Sequence, residues 1–108
     1  MIEPKYWGDT PAGRKTYICK MTATRARKMI VMYPSGLYQS FKEKDYSVSQ
    51  AICLELLSHA YVDIDGTHMK LETEAAIDSH VSPRDIVRLE KDLFEYTFGF
   101  FPIGGSLS

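Results

Sequence analysis

The dipeptide Asp65-Gly66, set between Val62-Asp63-Ile64 and Thr67-His68-Met69-Lys70-Leu71, constrains this chain more than any other feature. Alternating segments on either side of Asp-Gly predict a β-hairpin, because a type I′ turn needs positive φ at both central residues and these two tolerate it. The two-residue loop sets the register: Ile64 faces Thr67, Asp63 faces His68 and Val62 faces Met69. Val62, Ile64, Met69 and Leu71 then share a face predicted to be buried, while Tyr61, Asp63, His68 and Lys70 share the other. Asp63 and His68, directly opposed, predict a cross-strand charge pair.

A helix is predicted immediately upstream. Ser47 with Gln50 matches a capping box. Val48, Ile52 and Leu56 recur every fourth position, with Cys53, Leu57 and Ala60 on the adjoining line. Glu55 is the only Asp, Glu, Lys or Arg between Ser47 and Tyr61. So narrow a polar face predicts a helix packed on most sides, the central one of the fold. Downstream, Ser82-Pro83-Arg84-Asp85 supplies a cap, a proline for the first helical position and an acid for the first turn. Ile86, Leu89, Leu93 and Thr97 then form one line, with Val87, Phe94 and Phe98 beside it, and Gly99 is a natural stop. Arg88, Glu90, Lys91, Asp92 and Glu95 are left for solvent or a partner.

The N-terminal portion is rich in β-formers, in TYICKMTAT, KMIVMY and LYQSF. Tyr33-Pro34-Ser35-Gly36 suits a type I turn between them, so an antiparallel meander is expected, with a helix over Thr24–Tyr33 as the competing reading. Residues 1–15 read as an irregular arm that Tyr6 and Trp7 pin to the body, and 102–108 as a frayed tail. The expectation is a single α+β domain over 1–108: N-terminal antiparallel β-meander, buried central helix, Asp-Gly β-hairpin and C-terminal amphipathic helix. Its 108 residues, 44% apolar and 25% charged, suffice for one core without staples.

Cys19 and Cys53 sit in apolar runs and make no disulfide framework, and no leader or membrane-length apolar stretch is evident. Reduced cytoplasm, with no membrane association, is therefore expected. His59, Asp63, Asp65, His68 and His80 use the vocabulary of a metal site, but the hairpin register commits Asp63 to His68 and the turn commits Asp65. No nucleophile elbow and no phosphate loop is present. No metal, no cofactor and no enzymatic activity are expected; a small enzyme around His59, Asp63 and His68 is the third-ranked alternative.

Charge is segregated along the chain. Residues 14–44 hold eight Lys and Arg against one Glu, while 45–108 hold four against eleven Asp and Glu. The candidate basic surface is Arg25, Arg27 and Lys28 with Lys20, the first three unpaired at a strand turn; the candidate acidic surface is Glu90, Asp92 and Glu95. Tyr17 and Tyr33, interleaved with the cations, could stack on bases. The leading expectation is a non-enzymatic protein that docks stoichiometrically to a protein or nucleoprotein partner, of the kind phages and mobile elements use to inhibit host machinery. Direct nucleic-acid binding is the alternative.

The segment SVSQAICLELLSHAYVDIDGTHMKLETEA resembles the second half of a winged helix-turn-helix domain, in which a helix ending in Leu-Leu-x-x-x-Tyr-Val is followed by a short hairpin wing. The resemblance covers about thirty residues. It implies a nucleic-acid-binding regulator with Ser49, Gln50 and Glu55 on its recognition helix.

Overall fold

The computed structural model describes residues 4–99, the side chains of Ser35 and Leu37 excepted; the predicted tail over 102–108 lies outside the described residues. Four strands, β1 (Lys5–Asp9), β2 (Lys15–Ile18), β3 (Ala60–Ile64) and β4 (Thr67–Lys70), form one antiparallel sheet in sequence order. Helices α1 (Ala23–Tyr38), α2 (Ser47–Leu57), α3 (Glu74–His80) and α4 (Pro83–Phe98) complete an α+β fold. A π-helical segment, Gln39–Glu43, continues α1.

The β3–β4 hairpin has the predicted register, with Ile64 opposite Thr67, Asp63 opposite His68 and Val62 opposite Met69. Asp65 and Gly66 take φ of 52° and 87° at its turn. Alternation along the strands separates the two sheet faces. Thr16, Ile18, Ala60 and Val62 are buried, whereas Tyr17, Tyr61 and Asp63 are half-buried on the other side. Met69 departs from the predicted buried face, 41% exposed at the edge strand.

The expected irregular arm contains β1. Thr10 closes its turn to β2 with three hydrogen bonds, donating to the Arg14 carbonyl and accepting from Gly13 N and, on its hydroxyl, from Arg14 N. Trp7 does pin this strand to the body, as described below.

The larger correction concerns residues 23–38. KMIVMY and LYQSF are not strands, and Tyr33-Pro34-Ser35-Gly36 is not a turn; all lie in α1 or the π segment. Met29, Tyr33 and Gly36, spaced by four and three, form a buried stripe that a meander would have broken. Gly36 lets α1 approach α2, where it meets Val48, Ser49 and Ile52. Burial of this stripe outweighs the β-propensity of the Ile30-Val31 run and the hydrogen bond that Pro34 cannot donate.

Helix α2 runs as predicted, but its start is capped differently. The Asp45 carboxylate accepts from both the backbone N–H and the hydroxyl of Ser47, so Ser47 donates where the capping box would have it accept. Helix α4 begins as expected, with the Ser82 hydroxyl accepting from Asp85 N, and ends at Gly99 in the left-handed region. Val87, predicted beside the apolar line of α4, is 70% exposed. The short α3, capped by the Thr73 hydroxyl, was not signalled by periodicity. One core cluster joins Ile18, Ala60 and Val62 of the sheet to Met29, Leu56, Leu89 and Phe94 of the helices.

Candidate interaction surfaces

Arg25, Arg27 and Lys28 lie in the first two turns of α1. The expectation that no acid pairs with them fails at Arg25. Its Nη1 donates to both carboxylate oxygens of Glu55, at 3.0 and 2.8 Å, because α2 packs beside α1 and brings Glu55 across. Arg27 and Lys28 are exposed, with no ion pair among the described residues. Lys20 lies apart, its ammonium 5.3 Å from the Tyr96 ring centroid, and Lys5 approaches the same ring equally.

The predicted acidic edge of α4 is not an open surface. Glu90 is half-buried beside Cys53 and Tyr33, and burial raises its carboxyl above the ordinary range, a thiol hydrogen bond from Cys53 partly opposing the shift. Burial and the Glu90 charge push the Cys53 thiol up to about 12. Asp92 accepts from Trp7 Nε1 at 2.7 Å, and the Arg88 guanidinium lies 4.3 Å from the Trp7 ring centroid. Glu95 pairs with Lys91 at 3.5 Å. Only Glu95 of the three is exposed, so the charges expected to form an acidic surface are largely spent inside the protein.

The basic side leads into a different feature. On α1, Arg27, Lys28, Val31 and Tyr38 fall within about 100° of arc, on the face opposite Met29 and Tyr33. Val31 is 62% exposed and Tyr38 59%. Three residues on, Phe41 in the π segment is 72% exposed, and Tyr46 at the start of α2 is 59% exposed. Lys42 and Lys44 lie between them, both exposed and without an ion pair among the described residues. Lys44 ends the π segment in the left-handed region, φ 57°. This strip therefore carries four cations without an ion pair among the described residues and four of the large exposed apolar side chains, with two exposed acids, Glu43 and Asp45, between them.

The other face of the sheet bears an aromatic ladder. Tyr6 meets Tyr17 edge to face at 5.9 Å, Tyr17 stacks on Tyr61 at 5.2 Å, and Tyr61 stacks on His68 at 4.2 Å. In the two stacked pairs the rings turn their faces to one another, so those faces are not open to a nucleobase. Tyr33, the other candidate for stacking, is buried against Phe94. Asp63 and His68 form no charge pair: Asp63 accepts from Gly66 N, steadying the turn, while His68 packs on Tyr61. His59 Nε2 lies 3.2 Å from Glu55, so the three residues of the enzymatic alternative have three separate partners. Among the described residues, no three His, Cys, Asp or Glu side chains group as a metal site requires.

Around Glu55 the surface is concave. A cavity of about 500 Å³ is lined by Arg25, Glu55, Ser58, His59, Lys70 and Glu72, together with Ala51 and Leu54. A second hollow of about 210 Å³ shares Ser58, His59 and Lys70 and adds Cys19, Lys20 and Tyr61. Burial raises the Cys19 thiol, with Lys70 opposing, so it is held as the weakly nucleophilic thiol. The helix-plus-hairpin unit of α2, β3 and β4 is present, but α2 exposes Ser47, Gln50 and Ala51 and carries no cation. None of the described helices is long and apolar enough to cross a membrane. No family model matches this chain, and searches of curated proteins and of solved structures likewise find no match.

Proposed function

We propose that this protein acts by stoichiometric docking to an acidic protein surface through the strip formed by α1 and the π segment, inhibiting or redirecting the partner it covers. The observation that carries this reading is the interleaving of Arg27, Lys28, Lys42 and Lys44 with exposed Val31, Tyr38, Phe41 and Tyr46. Exposed aromatics flanked by unpaired cations are the composition of an interface core and its rim. A second copy of the chain would bring like charges together, which disfavours self-association through this strip. A phosphate backbone would satisfy the cations but would leave Val31 against a polar surface. The cationless exposed face of α2 and the occupied ring faces of the ladder argue further for protein over nucleic acid. Two free cysteines with raised thiol pKa fit a reducing compartment such as the cytoplasm.

The test is capture from the native host with nuclease present, comparing the wild type with Tyr38→Ser/Phe41→Ser and with Arg27→Gln/Lys28→Gln/Lys42→Gln. Both variants should lose the same protein, the first through faster dissociation and the second through slower, less salt-sensitive association. Capture abolished by nuclease, or an oligonucleotide bound with strongly salt-dependent affinity, would favour the nucleic-acid reading. Unchanged capture by both variants would remove the strip from the function.

A further inference from the structure

The aromatic ladder on the open face of the sheet carries a second inference, independent of the docking strip. Its rungs follow the strand register: Tyr6 stands opposite Tyr17 and Tyr17 opposite Tyr61, so the three phenol rings leave one face of β1, β2 and β3 side by side. Directly opposed residues project in parallel, which brings the hydroxyl ends of Tyr17 and Tyr61 together as well as their rings. The two rings lie 5.2 Å apart and only 23° from parallel. His68, on the strand beyond, stacks on Tyr61 at 4.2 Å from the other side, so Tyr17 is the phenol that Tyr61 meets. Tyr6 differs from both. It is 50% exposed, and its hydroxyl donates to the Asp9 carboxylate at 2.7 Å. A phenol gives up an electron more readily when a base stands ready to take its proton at the same moment.

We propose that this face is an oxidative cross-linking site, at which a diffusible one-electron oxidant joins Tyr17 to Tyr61 as dityrosine. The oxidant, a small radical or a high-valent metal complex, takes an electron from Tyr6 while the phenolic proton passes to Asp9. Tyr17, its ring centroid 5.9 Å from that of Tyr6, then gives up an electron to it, and Tyr6 recovers its proton from Asp9. Tyr61 restores Tyr17 in the same way, each ring losing its phenolic proton as it is oxidised and regaining one as it is restored. A second equivalent entering through Tyr6 leaves a radical on Tyr17 beside the one on Tyr61. A carbon–carbon bond forms between the ring positions ortho to the two hydroxyls. Those carbons lose their hydrogens as protons while both oxygens are reprotonated, so two electrons and two protons leave in all, the electrons to two oxidant molecules. Cys19, which shares a hollow with Tyr61, is held as the thiol and meets such oxidants more slowly than a thiolate would. Unlike a disulfide, the product resists the thiols of a reducing compartment, and the loop it closes holds α1, the π segment and α2 entire.

The experiment oxidises dilute protein with ruthenium tris-bipyridine, activated by light beside a sacrificial electron acceptor. Dityrosine emission is followed in the monomer fraction, and peptide mass spectrometry places the bond. Trypsin should release residues 16–20 joined to residues 45–70, lighter than their sum by two hydrogens. The second peptide also holds Tyr46, so Tyr46→Phe should keep the product, while Tyr61→Phe, which retains the stacking ring, should abolish it. Tyr6→Phe and Asp9→Asn should each slow its formation, the first by removing the entry phenol and the second by removing the base. The cross-linked monomer should melt about 10 °C or more above the untreated protein, because a long loop is already closed in its unfolded chain. Exposure alone favours a different outcome, since Tyr38 and Tyr46 are each 59% exposed whereas Tyr17 and Tyr61 are half-buried. A monomer linked through Tyr38 or Tyr46, product found only in dimers, undiminished yield from Tyr61→Phe or an unchanged rate in Tyr6→Phe would each overturn the proposal.

Discussion

Replacing Gly36 by Ala sets two effects of known size against each other. In an exposed helix interior, alanine is favoured over glycine by about 0.8–1.0 kcal/mol. At Gly36 the added Cβ would lie 2.7 Å from Ile52 Cδ1 and 3.4 Å from Val48 Cγ1. Real Cβ contacts do not come that close, so the Ile52 end methyl must shift, and at 3% exposure it cannot swing out into solvent. Overpacking of this kind costs about 1–3 kcal/mol. The net expectation is a loss of roughly 0–2 kcal/mol, up to about 8 °C in the thermal midpoint for a domain of this size. Chemical denaturation of four proteins measures it: wild type, Gly36→Ala, Ile52→Val and the double variant. Ile52→Val deletes the clashing methyl at a cost of about 0.5–1.5 kcal/mol. In that background Gly36→Ala should become neutral or stabilising, giving a coupling of about 1–2 kcal/mol. Stabilisation by the full propensity difference in the wild type, with additive effects, would refute the close packing of α1 on α2.

Glu90→Gln should stabilise the protein at pH 7 by about 1 kcal/mol, since a carboxylate there is half-buried with no cation paired to it among the described residues. The folded carboxyl is raised above its unfolded value, so its contribution is fully present below the unfolded pKa and lost as pH rises through the folded one; the variant should flatten that decline in a pH series of denaturation midpoints. Ser82→Ala should cost about 1 kcal/mol by removing an accepting cap, whereas Ser47→Ala should cost much less, a contrast readable by urea denaturation. At the start of α2 the accepting side chain is instead that of Asp45, one residue before the N-cap, whose carboxyl is held below its usual range by the Ser47 backbone and hydroxyl bonds. Its stabilisation is present above the unfolded pKa and lost as pH falls through the folded one, and Asp45→Asn should abolish that dependence in the same series. Reversing Glu90, Asp92 and Glu95 together to Lys should lower the thermal midpoint clearly, as Asp92 holds Trp7 and Glu90 faces the core side.

What could be read from the sequence depended on how local its cause was. The β3–β4 register follows from two turn residues, and α4 from Ser82, Pro83 and Gly99, all within a few positions of the element they define. Helix α1 was obscured because its deciding contact is remote. Pro34 and Gly36 imitate a turn, and only the approach of Gly36 to Ile52, sixteen positions on, makes glycine useful inside a helix. The same holds for the charged groups. Glu55 as the lone acid of a helix packed on most sides was a signal that it needed a partner, but nothing local named Arg25. Glu90 lies four positions before buried Phe94 and four after half-buried Ile86, a spacing that marked it as facing inward. Reading it as solvated took the apolar arc of α4 to be narrower than two packed helices make it.

Trp7 is the sole tryptophan, and its hydrogen bond to Asp92 spans 85 positions of the chain. That makes it a built-in optical reporter of one event, the joining of the first strand to the last helix. Contacts so distant in sequence carry the largest loop-closure entropy, so they form only once intervening structure has brought the ends together. Indole emission should therefore lag behind far-ultraviolet ellipticity in stopped-flow refolding if helices α1 and α2 pair first. Simultaneous signals would mean that the β1–α4 seam belongs to the folding nucleus, with the two ends of the described chain meeting before its middle is settled.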